Sequence, residues 1–93
     1  MASRPKLQRL IMTLKELAAE ELGPHAEPID YVVQRISVGQ SVTALAHEVA
    51  AEMDEPASRS WMSWRFNHLA PGAKERIAKA RHEAARRRLA VKP

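Results

Sequence analysis

Apolar residues recur at three- and four-residue spacing along most of the chain, which is typical of helices that bury one side. The spacing is interrupted at Gly23-Pro24, at Gly39 and at Pro71-Gly72, residues that commonly end or separate helices. The expected fold class is therefore all-α, with five helices and no strand. The predicted helices cover residues 5–22, 29–38, 42–53, 59–69 and 73–90. Ser41 and Ser58 precede the third and fourth helices as N-caps.

The first predicted helix carries a stripe of leucines at near-heptad spacing. This spacing fits a helix that packs on the rest of a small domain, and it fits equally a helix–helix contact between subunits. Both interpretations stay open at this point, and the second would make the protein a homo-oligomer. The residues concerned are Leu7, Leu10, Leu14 and Leu17.

Charge is distributed very unevenly along the chain. Residues 58–93 hold ten of the fifteen Lys and Arg residues against two acids and are net +8, whereas residues 23–57 are net −5. Three of the four aromatic residues lie at the start of the basic segment. A surface of this kind favours a polyanionic partner, and nucleic acid is the first candidate.

Several classes of function are disfavoured by composition. The chain has no cysteine, which removes disulfides, thiol nucleophiles and cysteine-ligated zinc. It has no apolar run of membrane-spanning length and no signal-peptide pattern, so a cytoplasmic protein without a membrane partner is expected. His47 and His82 each precede a glutamate, but neither has a second histidine four residues on, as a zinc protease requires. We therefore expect no enzyme activity, no catalytic residue, no metal site and no cofactor.

The fourth predicted helix divides into an apolar side and a polar side. Met62, Phe66 and Leu69 share the apolar side, with Trp61 at its edge. The opposite side is short, polar and basic, as a recognition helix in the DNA major groove requires. Residues 29–70 are therefore predicted to be a helix-turn-helix DNA-binding domain, between an amphipathic helix with its linker (residues 1–28) and a basic helix (residues 71–93). The predicted DNA contacts on the recognition helix are Arg59, Ser60, Ser63 and Asn67.

Two residues of this helix are harder to assign. Trp64 lies near the border between the two sides, and packing beneath the terminal helix is the simpler interpretation, with base stacking as the alternative. Arg65 lies near the apolar stripe, from which its long side chain can extend towards phosphate. Both are included among the predicted DNA-binding residues.

The last predicted helix carries cations around much of its circumference. Such a run can be a solvated surface. Because few acids lie nearby to balance the charge, contact with DNA phosphates is the preferred interpretation. The residues concerned are Lys74, Arg76, Lys79, Arg81, Arg86, Arg87 and Arg88.

Three stretches, taken in order, resemble the helix-turn-helix domain of bacteriophage terminase small subunits. They are residues 35–41 (RISVGQS), 56–61 (PASRSW) and 79–84 (KARHEA). The resemblance implies a protein that binds viral double-stranded DNA for packaging in the host cytoplasm, without a catalytic site of its own. It also implies a large terminase subunit as partner and an oligomeric state. A small transcriptional regulator, or a helical adaptor that binds an acidic protein, remains the alternative.

Overall fold

The computed structural model describes residues 5–53 and 58–90, apart from the side chains of Pro5 and Arg59. The described residues form five α-helices and their connecting turns, and none of them lies in a strand. The predicted all-α fold is therefore confirmed. Numbered in chain order, the helices are α1 (Pro5–Leu22), α2 (Pro28–Ser37), α3 (Val42–Met53), α4 (Arg59–Phe66) and α5 (Ala73–Ala90).

The leucine stripe of α1 packs against α2 and α3. Leu10, Leu14 and Ala18 are fully buried, and Leu7 and Leu17 are half-buried against the same core. Of the two interpretations of the leucine spacing, packing within the domain is confirmed. Large apolar side chains that remain exposed on this helix are Ile11, Met12 and Leu22.

The two turns that precede α3 and α4 use the predicted serine caps. Ser41 Oγ accepts a hydrogen bond from the backbone N–H of Ala44 at 3.0 Å. Ser58 Oγ accepts one from the backbone N–H of Trp61 at 3.1 Å. Each bond satisfies a donor that the first turn of a helix leaves without a partner. Before α3, Gly39 has a φ of +111°, which a residue with a side chain rarely adopts, and this ends α2.

α4 ends at Phe66, three residues earlier than the sequence pattern predicted. Beyond it the backbone N–H groups of His68 and Leu69 bond to carbonyls three residues back, so the chain tightens into turns. Pro71 restricts the backbone of the residue before it, which disfavours a longer helix. Leu69 still packs against the core from this turn.

α5 lies alongside α2 and runs in the same direction. Near the start of both helices, Arg76 Nη2 donates to Asp30 Oδ1 at 2.9 Å. Near their ends, Arg87 Nη1 donates to the carbonyl oxygen of Ser37 at 2.9 Å. The buried side of α5 consists mostly of small residues, which lets the two helices approach closely. These residues are Ala73, Ile77, Ala80 and Ala84.

One hydrophobic core receives side chains from all five helices. Its largest fully buried members come from α1 to α4 and include Leu10, Ile36, Leu45 and Phe66. Residues 85–90 of α5 are all exposed, so the end of this helix projects from the core. The described part of the chain measures 54 × 28 × 24 Å along its principal axes.

Candidate nucleic-acid interface

α4 has three distinct sides. Met62 and Phe66 are buried and attach the helix to the core. Ser63 and Asn67 lie on one flank and are half-buried. The outward side is exposed and consists of Ser60, Trp64 and, in the turn that follows the helix, His68.

The interpretation that Trp64 packs beneath the terminal helix is wrong, because its side chain is 52% exposed. Trp64 follows Met62 by two residues, and at about 100° per residue it points roughly 200° away from the core. The angle around the helix axis between Trp64 and the buried residues Met62 and Phe66 follows from their spacing in the sequence, and it predicts that Trp64 is exposed. The His68 ring stacks on Trp64 with the ring centroids 4.0 Å apart and the planes inclined by 23°. His68 Nδ1 also lies 2.8 Å from the backbone carbonyl oxygen of Trp64.

Arg65 contacts both tryptophans of α4. Its guanidinium carbon is 4.7 Å from the ring centroid of Trp64 and 5.6 Å from that of Trp61. Its buried Nε has no hydrogen-bond partner among the described residues. On α1, Lys6 Nζ lies 4.9 Å from the centroid of Trp61. Lys6 was not among the predicted contacts, because only the folding of α1 onto the domain brings it beside α4.

A cleft of about 510 Å³ lies between the end of α2, the start of α3, α4 and α5. Its floor includes the apolar side chains Ile36, Phe66 and Ile77, and no carboxylate occurs among the described residues that line it. The cleft is thus complementary to an anion rather than to a cation. Its polar and cationic side chains are Gln40, Ser41, Thr43, Ser63, Asn67, Arg81 and Arg88.

The cations of α5 differ in what they face. Arg76 and Arg87 are held against α2 by the hydrogen bonds described above. Arg81 and Arg88 line the cleft and are paired with no acid of the described residues. The remaining cations of this helix are exposed and do not line the cleft: Lys74, Lys79 and Arg86.

Arg35 is the one Lys or Arg residue of the acidic segment, residues 23–57. Arg35 lies with its guanidinium nitrogens 3.8 Å from carboxylate oxygens of Glu21 and of Glu48. Its Nε also donates to Gln40 Oε1 at 2.9 Å. Burial raises the pKa of the nearby Tyr31 phenol above its ordinary value of 10.0. Arg35 is therefore engaged by its neighbours, whereas Arg81 and Arg88 of α5 have no carboxylate partner among the described residues.

Asp30 joins the start of α2 to α5. Its Oδ2 accepts a hydrogen bond from the backbone N–H of Glu27 at 2.9 Å, while its Oδ1 accepts from Arg76. Both bonds favour the ionised form, and together they lower the pKa of Asp30 below its ordinary value of 3.8. The carboxylate fixes the first turn of α5 relative to the rest of the domain.

The structure brings four predicted DNA contacts together at one cleft, namely Ser63, Asn67, Arg81 and Arg88. It gives Arg76 and Arg87 partners within the domain. The side chain of Arg59 and residues 54–57, which form most of the predicted turn before α4, lie outside the described residues. Sequence reasoning missed Gln40 and Thr43, since nothing in the local pattern places the start of α3 beside α5.

No protein-family model, no curated protein and no solved structure matches this chain. In the described part of the chain, no three potential metal ligands converge. None of the five described helices contains an apolar stretch of the length that a bilayer crossing requires.

Proposed function

We propose that this protein binds double-stranded DNA through α4 and the cleft-facing cations of α5. The observation that carries the proposal is the position of Arg81 and Arg88. Both arginines lack an acidic partner among the described residues, and both line the same cleft as Ser63 and Asn67 of α4. A helix with a polar side next to unpaired arginines is suited to a DNA groove flanked by phosphates.

The two ends of α4 have different tasks in this proposal. Arg59 and Ser60 belong to its first turn, the part of a recognition helix that contacts base edges. Asn67 lies at the other end, half-buried in the cleft near Arg81. This position suits Asn67 for a phosphate contact better than for a base-edge contact.

Within DNA binding, we favour the role of a phage terminase small subunit. The support is the resemblance of three sequence stretches to that family, as described above. In this role the protein would mark viral DNA in the host cytoplasm for a large terminase subunit, as an oligomer without catalytic activity. A small transcriptional regulator would present the same surface, and the two roles differ in assembly. A dimer on a palindromic site would favour the regulator, and a larger closed assembly the terminase.

The test is the salt dependence of DNA binding, measured by fluorescence anisotropy with a labelled duplex. Each phosphate that the protein neutralises adds about 0.9 to the slope of log K against log salt concentration. Replacing Arg81 and Arg88 together with glutamine should therefore lower the slope by about 1.8. In the matched control, Lys79 and Arg86 are replaced together with glutamine. This removes the same charge from the same helix, but at positions outside the cleft.

The control double variant should bind with nearly the original slope. Equal losses in both double variants would mean that only the net charge of α5 matters, and the cleft would not be the site. Absence of salt-sensitive DNA binding in the unmodified protein would overturn the proposal and leave an adaptor for an acidic protein.

A further inference from the structure

The outward side of α4 carries a large aromatic side chain, Trp64, and contacts with base edges or phosphates do not require the flat face of its ring. Trp64 is 52% exposed, whereas Tyr31 and Phe66 are almost completely buried and Trp61 is partly buried. Tryptophan is enriched at binding interfaces relative to the rest of the protein surface. The Trp64 side chain is separate from the cleft, which it does not line.

Trp64 is held in place before any partner binds. The His68 ring stacks on it at 4.0 Å, and the guanidinium of Arg65 lies 4.7 Å from its centroid. The contact between His68 Nδ1 and the carbonyl oxygen of Trp64 fixes the position of the histidine. Since these side chains are already ordered, binding to them loses less conformational entropy than binding to a mobile tryptophan.

The charge around this stack indicates the chemistry of its partner. No acid occurs between Ser58 and Lys74 in the sequence, and Lys6 and Arg65 both lie over the ring of Trp61. An aromatic surface bordered by cations fits a planar, electron-rich group attached to an anionic chain. A nucleobase on its phosphate backbone has both properties.

In a continuous duplex the faces of the bases are covered by their neighbours, and only the edges are accessible in the grooves. A face becomes available where a base is unpaired or a base step is opened. Building on the proposed DNA-binding function, we infer that Trp64, supported by His68 and Arg65, stacks on the face of an unpaired or unstacked nucleobase. The preferred ligand is then DNA with a locally opened site rather than a fully paired duplex.

The experiment uses three DNA ligands of the same sequence: a full duplex, the same duplex with a short central bubble, and a single strand. In the Trp61→Phe variant, the fluorescence of Trp64 should be quenched by the bubble and the single strand and much less by the duplex. In the otherwise unchanged chain, Trp64→Ala should weaken binding to the two opened ligands by roughly 5- to 100-fold, the range for loss of one base–aromatic stack. Binding to the full duplex should be weakened clearly less than binding to the two opened ligands.

Trp64→Phe is the matched variant, since it keeps a stacking face and should retain most of the affinity for the opened ligands. The inference is overturned if Trp64→Ala weakens binding to all three ligands equally, or weakens binding to none of them. It is also overturned if the fluorescence of Trp64 is quenched equally by all three ligands. In each of these cases, salt-sensitive duplex binding that depends on Arg81 and Arg88 would leave the proposed function standing. If none of the three ligands binds, both proposals fail together.

Discussion

The carboxylate of Asp30 accepts a hydrogen bond from Arg76 at 2.9 Å and thereby ties the first turn of α5 to the first turn of α2. Arg76 was predicted to contact DNA, but in the folded domain it has this partner. The second oxygen of the same carboxylate accepts a hydrogen bond from the backbone N–H of Glu27. One side chain thus stabilises the start of α2 and positions α5, the helix that carries seven of the fifteen Lys and Arg residues.

Asp30→Asn should lower the free energy of unfolding at neutral pH by about 0.5 to 1 kcal/mol, in line with the loss of a helix cap and an exposed ion pair. Glu20→Gln, which removes one negative charge from an exposed position on α1, should leave stability nearly unchanged. The pKa of Asp30 in the folded protein lies below 3.8, its ordinary value. The stabilisation that the Asp30 carboxylate provides is therefore complete above pH 3.8 and is lost as the pH falls through the folded pKa. Urea denaturation at several pH values should therefore show the variant and the unmodified protein converging in acid.

Arg87→Ala and Arg86→Ala remove the same charge and introduce the same residue at adjacent positions of α5. Only Arg87 donates to the carbonyl oxygen of Ser37 at the end of α2. Its loss should lower the free energy of unfolding by about 1 kcal/mol, whereas Arg86→Ala should stay within about 0.5 kcal/mol of the unmodified protein. Thermal denaturation followed by circular dichroism measures both. Equal melting temperatures would contradict the role of Arg87 in holding the two helices together.

Ser58→Ala should destabilise α4 by about 1 kcal/mol, because the Ser58 hydroxyl caps this helix through the N–H of Trp61. α4 has only eight residues, so its first turn is a large part of it. Ser60→Ala changes an exposed serine two residues later and should be neutral or slightly stabilising. Chemical denaturation of the two variants distinguishes them, and an equal effect would mean that the cap contributes nothing measurable.

Phe66→Ala should lower the free energy of unfolding by about 3 to 5 kcal/mol, since the ring is only 1% exposed and the change leaves a cavity in the core. Trp64→Ala, two residues away on the same helix, should lower it by less than about 1 kcal/mol. The comparison can be made by calorimetry. A loss of similar size at both positions would place Trp64 in the core and remove the basis for its stacking role.

Local features of the fold were predictable because they depend on neighbouring residues. Gly39, Ser41 and Ser58 end or cap helices through bonds within a few residues of themselves, so residue type and position were enough to find them. The end of α4 was predicted too late because Leu69 continues the apolar spacing, although it packs from a turn.

The candidate site was less predictable because it depends on how helices are placed relative to one another. Ser63 and Arg81 were predicted as DNA contacts from their residue types and their positions on the helices. Their meeting at one cleft follows from the packing of α5 on α2, which no local pattern encodes. The same packing engages Arg76 and Arg87 with the rest of the domain, so seven equivalent-looking cations are not equivalent in the structure.

The buried side of α5 contains one large side chain, Ile77, among three alanines. Little apolar area therefore holds this helix to the domain, and we expect its amide hydrogens to exchange faster than those of α1, through local opening rather than global unfolding. Every such opening would carry Arg81 and Arg88 away from α4. The observed affinity for DNA would then be reduced by the fraction of molecules with α5 undocked, and DNA would in turn slow exchange in this helix.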